Sequence, residues 1–182
     1  MPAFKLTLPV LALVLLPAAA AAGGKYGTTA RLTSASTSSV VKLLETGFAD
    51  CRAQLPKAYR YDCYRSVYRR ARQRIRGSED YAAADQALAL VQKTLEQAVA
   101  QNADPAKPRI RQGLTRYRAI QETALPAVKA RTDAALQEAE TLLLRASGRR
   151  QSHYVRIARA VGSNKLLLRT ALRFLGWRLG FA

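Results

Sequence analysis

Few side chains in this 182-residue chain are equipped for chemistry, and their spacing narrows what that chemistry is. His153 is the only imidazole. Any Ser-His or Cys-His mechanism would have to run through it, yet Ser152-His153-Tyr154 has no spacing that marks a triad, and Arg149, Arg150 and Arg156 surround it. We expect it to be a surface or interhelical hydrogen-bonding group rather than a catalyst. Glu138 and Glu140 fall on different faces of a helix, while Glu79 and Asp80 suit a helix start, where the positive end of the dipole favours carboxylates. No HExxH, GxSxG, P-loop, GxGxxG or EF-hand pattern is present. Two cysteines and one histidine cannot supply the four N/S ligands of a structural zinc site. No catalytic, cofactor-binding or metal-binding residue is assigned, and the expectation is a non-enzymatic protein without a cofactor.

The meaning of Cys51 and Cys63 depends on compartment, and the N-terminus speaks to that. Lys5 precedes an apolar run from Leu6 to Leu16, followed by the small residues Ala18 to Ala22. These are the three regions of a signal peptide in order, which predicts a cleaved segment over residues 1–22 and a periplasmic or secreted protein. The run contains Pro9 and falls well short of the roughly 20 residues that cross a bilayer, so no transmembrane helix is expected in the mature chain. In an oxidising compartment the two cysteines, which lack Cys-x-x-Cys spacing, are expected to form a structural disulfide.

Charge is the strongest remaining signal: 30 Lys and Arg stand against 12 Asp and Glu, and Arg outnumbers Lys 22 to 8. Residues 57–76 hold eight basic side chains and one acid, residues 109–118 hold four and none, and residues 141–182 hold nine and none. Arginine pairs bidentately with phosphate and carboxylate, so this pattern points to an anionic partner. The C-terminal block supplies the first candidate surface: Arg145, Arg149, Arg150, Arg156, Arg159, Lys165, Arg169, Arg173 and Arg178. A secondary face is Arg65, Arg69, Arg72 and Arg76. Residues 79–104 are net acidic and are expected to neutralise part of the basic surface within the fold. Nucleic acid would bind only nonspecifically, through phosphate contacts.

Positioning these residues falls to helices. Residues 23–38, rich in Gly, Ser and Thr, read as a flexible leader, and 39–182 as a single helical domain. A first stripe, Val41, Leu44, Phe48, Cys51 and Leu55, ends at Pro56; a second, Tyr61, Tyr64, Tyr68, Ala71 and Ile75, ends at Gly77. Cys51 late in the first helix and Cys63 early in the second would staple the base of an antiparallel hairpin. A third helix starts at Ser78, and Asn102 to Pro108 forms a turn. A fourth is predicted from Arg109 to Ala146, with a kink near Pro126. A fifth runs from Gln151 to Val161, and Gly162-Ser163-Asn164 separates it from a last helix, Lys165 to Leu179. On that last helix Lys165, Arg169 and Arg173 cluster on one arc opposite Leu, Phe and Trp, a pattern compatible with peripheral membrane contact. The expected fold is an all-α antiparallel bundle of five to six helices without a sheet.

The segment Leu114-Thr115-Arg116-Tyr117-Arg118 resembles the LTXXQ motif of small helical periplasmic chaperones, departing from it at the last position, where Arg118 stands for Gln. The primary expectation is an exported helical protein that binds an anionic envelope component (phospholipid, lipopolysaccharide or acidic polymer) through its Arg-rich faces. The alternative is a helical chaperone or scaffold binding other exported proteins. An enzyme of a type without known signatures is a third, weaker reading.

Overall fold

The computed structural model describes residues 31–146 and 148–173, and the side chains of all of these but 149 and 165–173. The predicted signal peptide and the first half of the predicted leader, residues 23–30, lie outside this range.

Helix α1 spans Ser34–Gln54. Thr33 Oγ1 accepts from the Ser36 N–H at 3.1 Å and Ser36 Oγ accepts from the Thr33 N–H at 3.0 Å, a reciprocal cap. The leader expected to reach residue 38 therefore gives way to helix at Ser34. The hydroxyls read as signs of flexibility instead cap the helix or bond back within it, as Ser38 Oγ does to the Ser34 carbonyl. Leu55, extended ahead of Pro56, ends α1. Helix α2, Lys57–Ile75, follows at once and stops before Gly77, whose φ of 81° few other residues adopt. The Cys51–Cys63 disulfide joins the two helices with 5.8 Å between Cα atoms. With 12 residues of separation, such a bridge contributes about 3 kcal/mol in the chain-entropy picture.

A 3-10 turn, Glu79–Tyr81, leads into α3, Ala82–Gln101. The next segment departs from expectation. Instead of starting a helix at Arg109, the chain forms an antiparallel hairpin of β1, Ile110–Gln112, and β2, Thr115–Tyr117, turning at Gly113 with φ 58°. Helix α4 begins only at Leu125 and runs to Leu144. Pro126 therefore does not kink a helix but sits in its first turn, where its missing N–H has no partner to lose. Helix α5, Gln151–Arg173, is likewise continuous through Gly162-Ser163-Asn164, expected to separate two helices. Gly162 faces α4, where an added Cβ would meet the carboxylate tip of the Glu140 side chain, which would have to shift.

Each helix packs on the next and α5 returns to α1, closing a five-membered ring. The starts of α1, α3 and α5 share one end, tied by Thr37 to His153 and by the Tyr154 hydroxyl donating to the Asp80 carbonyl at 2.7 Å. The hairpin sits at the other end, beside the α1–α2 turn. Leu44, Phe48, Tyr68, Leu88, Leu95, Leu136, Leu143 and Ile157 fill the core. The Phe48 ring meets Tyr64 edge-on at 5.9 Å and Tyr68 at 5.2 Å.

Candidate anion-binding surface

Arg65, Arg69 and Arg72 recur every three or four residues, so α2 carries them on one line, and Arg76 follows as the residue that caps the helix end. Ala58 and Asp62 continue that line toward the helix start, yet both are buried, because the hairpin lies over them. Ile120 donates its N–H to the Ala58 carbonyl at 2.9 Å, and the Tyr59 hydroxyl reaches the Pro108 carbonyl at 2.7 Å. Asp62, 1% exposed, binds both sides of this seam. One of its oxygens accepts from Arg65 Nε at 2.7 Å and the other from the Arg118 backbone N–H at 2.8 Å. The buried carboxylate thus ties the end of the hairpin to the first turns of α2, at the Arg65 end of the basic line.

Part of this charge is neutralised internally. Arg72 grips both oxygens of Asp85 on α3, at 2.8 and 3.3 Å, and reaches Gln92 at 3.1 Å. Lys107 pairs with Glu122 at 2.6 Å, and their hydrogen bond raises the lysine pKa and lowers that of the carboxylate. The acidic segment expected to offset part of the basic surface does so through Asp85 and, on Arg150, through Asp80 at 3.2 Å. Arg69, Arg70, Arg76, Arg109 and Arg116 are exposed, and their side chains make no ion pair or hydrogen bond among the described residues. Arg111, also exposed, donates Nε to the Gly113 carbonyl at 2.9 Å and so closes the hairpin turn.

The C-terminal candidates are not brought together to the same degree. Arg150 turns to Asp80, and Arg156 donates to the Ser38 hydroxyl at 2.7 Å, so both tie α5 to neighbouring elements. Arg145 and Arg159 are exposed and lack ion pairs among the described residues. The side chains of Arg149, Lys165, Arg169 and Arg173, and all of Arg178, lie outside the described residues, as does the apolar side of the last helix.

His153 is an interhelical hydrogen-bonding group, as expected. Its Nδ1 lies 2.8 Å from Thr37 Oγ1, which lies 2.9 Å from the Tyr81 hydroxyl, itself 2.7 Å from Ser36 Oγ. Thr37 and Tyr81 are fully buried, so the chain of hydroxyls fastens α1 to the starts of α3 and α5. The tyrosines of α2 line the core: burial pushes Tyr61 up to about 12 and raises Tyr64 and Tyr68 as well, so their ionisation is delayed at alkaline pH.

Sequence reasoning groups Arg109, Arg111, Arg116 and Arg118 as one basic block but places them on a helix, and it misses Leu114 as an exposed side chain. The overlooked signal is Gly113 between Ile110-x-Gln112 and Thr115-x-Tyr117, two short runs flanking a two-residue turn. Among the described residues no helix is long and apolar enough to cross a membrane, and no cluster of His, Cys, Asp and Glu could hold a metal ion. No protein-family profile, curated protein or solved structure matches this chain.

Proposed function

We propose that this protein is an exported, non-enzymatic helical protein that binds an anionic cell-envelope component, and that the line of α2 together with the hairpin is its principal contact surface. The observation that carries this reading is the group Arg69, Arg70, Arg76, Arg109 and Arg116, exposed and without ion pairs among the described residues while Arg65 and Arg72 beside them are paired. Guanidinium groups held on a helix and a hairpin pinned to it by Asp62 are preorganised for phosphate or carboxylate groups. Each one near an anionic membrane contributes on the order of 1 kcal/mol before salt screening. The disulfide supports an oxidising compartment. Arg145, Arg159 and the C-terminal basic residues form a second contact on the same kind of partner.

The test is co-sedimentation of the mature chain with vesicles containing phosphatidylglycerol and with lipopolysaccharide, at low and physiological salt. Binding should weaken steeply with salt. Arg69→Glu/Arg76→Glu should lower it at least tenfold, and more than Arg169→Glu/Arg173→Glu does, with the helical signal unchanged. Binding that ignores salt and charge reversal would overturn the reading in favour of apolar recognition of other exported proteins.

A further inference from the structure

A lone exposed leucine is ordinary on a protein surface. Leu114 is not placed in the ordinary way. It is 96% exposed, and it occupies one of the two turn positions of the hairpin, next to Gly113 at φ 58°, where Asn, Asp or Gly is the usual choice. Around it the hairpin carries Arg109, Arg111 and Arg116 and no acid between residues 105 and 121. Arg111 and Arg116 stand directly opposite each other in the register, on the exposed side of the two strands. Like charges in that position are unfavourable unless an anion lies between them. On the inward side Tyr117 is buried and Ile110 packs against the core.

The finger is also tied down at several points. Its base is held by the Asp62, Ala58 and Tyr59 hydrogen bonds, its turn is closed by Arg111, and Gln112 bonds Gln54 at the end of α1. A turn held in this way loses less conformational freedom when its tip is engaged, so contacts made there translate more efficiently into affinity.

We propose that the hairpin is a membrane-dipping wedge: Leu114 enters the boundary between headgroups and acyl chains of an anionic phospholipid bilayer, and Arg109, Arg111 and Arg116 hold lipid phosphates around it. This rests on the anionic-surface reading and narrows its partner to a lipid surface. A soluble polyanion would satisfy the arginines and leave Leu114 in water. A bilayer offers phosphate at the height of the collar and hydrocarbon beneath it, which is how cationic, apolar-tipped segments sit in an interface. The guanidinium groups suit phosphate because they donate two parallel hydrogen bonds each.

Two probes separate the lipid contact from simple anion binding: vesicles of phosphatidylglycerol mixed with phosphatidylcholine, and soluble polyphosphate. Leu114→Ser should lower partition onto the vesicles about tenfold, the scale of removing one leucine side chain from an apolar environment, and leave polyphosphate binding unchanged. Arg109→Gln/Arg116→Gln, whose side chains bond nothing within the described residues, should weaken both. Leu114→Trp in a Trp177→Phe background should shift the indole emission to the blue on the vesicles and be quenched by brominated acyl chains. Vesicle binding by Leu114→Ser equal to that of the unaltered chain, or an indole in the Leu114→Trp variant reached only by aqueous quenchers, overturns the wedge. Binding of polyphosphate but not of vesicles by the unaltered chain also overturns it and leaves the anion-binding surface standing. Binding of neither at low salt removes the surface itself. Helical circular dichroism and intact mass of the oxidised protein verify that each variant is folded.

Discussion

Asp62 shows how one carboxylate settles the position of a whole structural finger. It is buried, it accepts from an arginine side chain and from a backbone N–H, and it holds the hairpin and α2 together. Asp62→Ala leaves the Arg118 N–H and the Arg65 guanidinium without their acceptor, and hydrogen bonds to a charged group contribute about 1.5 to 3 kcal/mol each. We expect a loss of about 3 kcal/mol in urea unfolding, with Asp62→Asn losing less, since its amide oxygen still accepts one bond. Equal stability of Asp62→Ala and the unaltered protein would show that the seam is held by packing alone. None of this is legible in the sequence: Asp62 appears there only as the one acid in a run of eight bases, because its partner Arg118 lies 56 residues away. The disulfide is legible, since two cysteines allow one pairing and the prolines and apolar stripes place both near a helical turn.

At the scale of elements, the sequence reading succeeds where a stripe is long and well bounded and fails where a short run fits two periods. The stripe through Val41, Leu44 and Phe48 and the one through Tyr61, Tyr64 and Tyr68 sit where the spacing puts them, and Pro56 and Gly77 end their helices. Leu114 and Tyr117 also fit a helical spacing, yet the alternation of Ile110 and Gln112 with exposed Arg111, and of Thr115 and Tyr117 with exposed Arg116, together with a glycine in the left-handed region, wins locally. Gly162 misleads for a different reason: it reads as a stop signal in sequence but makes room for the Glu140 side chain in space. Gly47 is a parallel case within α1, where a Cβ would lie 2.8 Å from both γ carbons of Val67. Gly47→Ala should therefore destabilise the fold by about 1 to 3 kcal/mol despite alanine's better helix propensity, because α1 and α2 must separate. In combination with Val67→Ala much of that cost should disappear, and a thermodynamic cycle measured by chemical denaturation reads the coupling directly. Additive losses would place the clash elsewhere.

For the molecule as a whole, the tyrosines of α2 make alkaline conditions a measure of core integrity. Tyr61 ionises near 10.0 in an unfolded chain and is pushed up to about 12 in the folded one, chiefly by burial, with Tyr64 and Tyr68 shifted the same way. Between those values the folded state binds more protons than the unfolded state, so stability is fully present below pH 10 and falls as pH rises toward 12. Tyr61 alone accounts for on the order of 2 to 3 kcal/mol of that fall. Denaturant midpoints at pH 9, 10, 11 and 12 should be flat at first and then drop, and Tyr61→Phe should flatten part of the drop; a midpoint unchanged from pH 9 to 12 would contradict the buried placement of these rings. The ring closure has a consequence for how the protein is made. Thr37 and His153 are 116 residues apart, so as the chain is synthesised from its N-terminus α1 folds against α2 long before its other neighbour exists. A chain cut off at Ala146 would have α1 and α4 each lacking the helix that joins them, and the hydroxyls of Thr37 and Tyr81 would lack the cover of α5. Completion of the fold must therefore wait for the last helix to emerge.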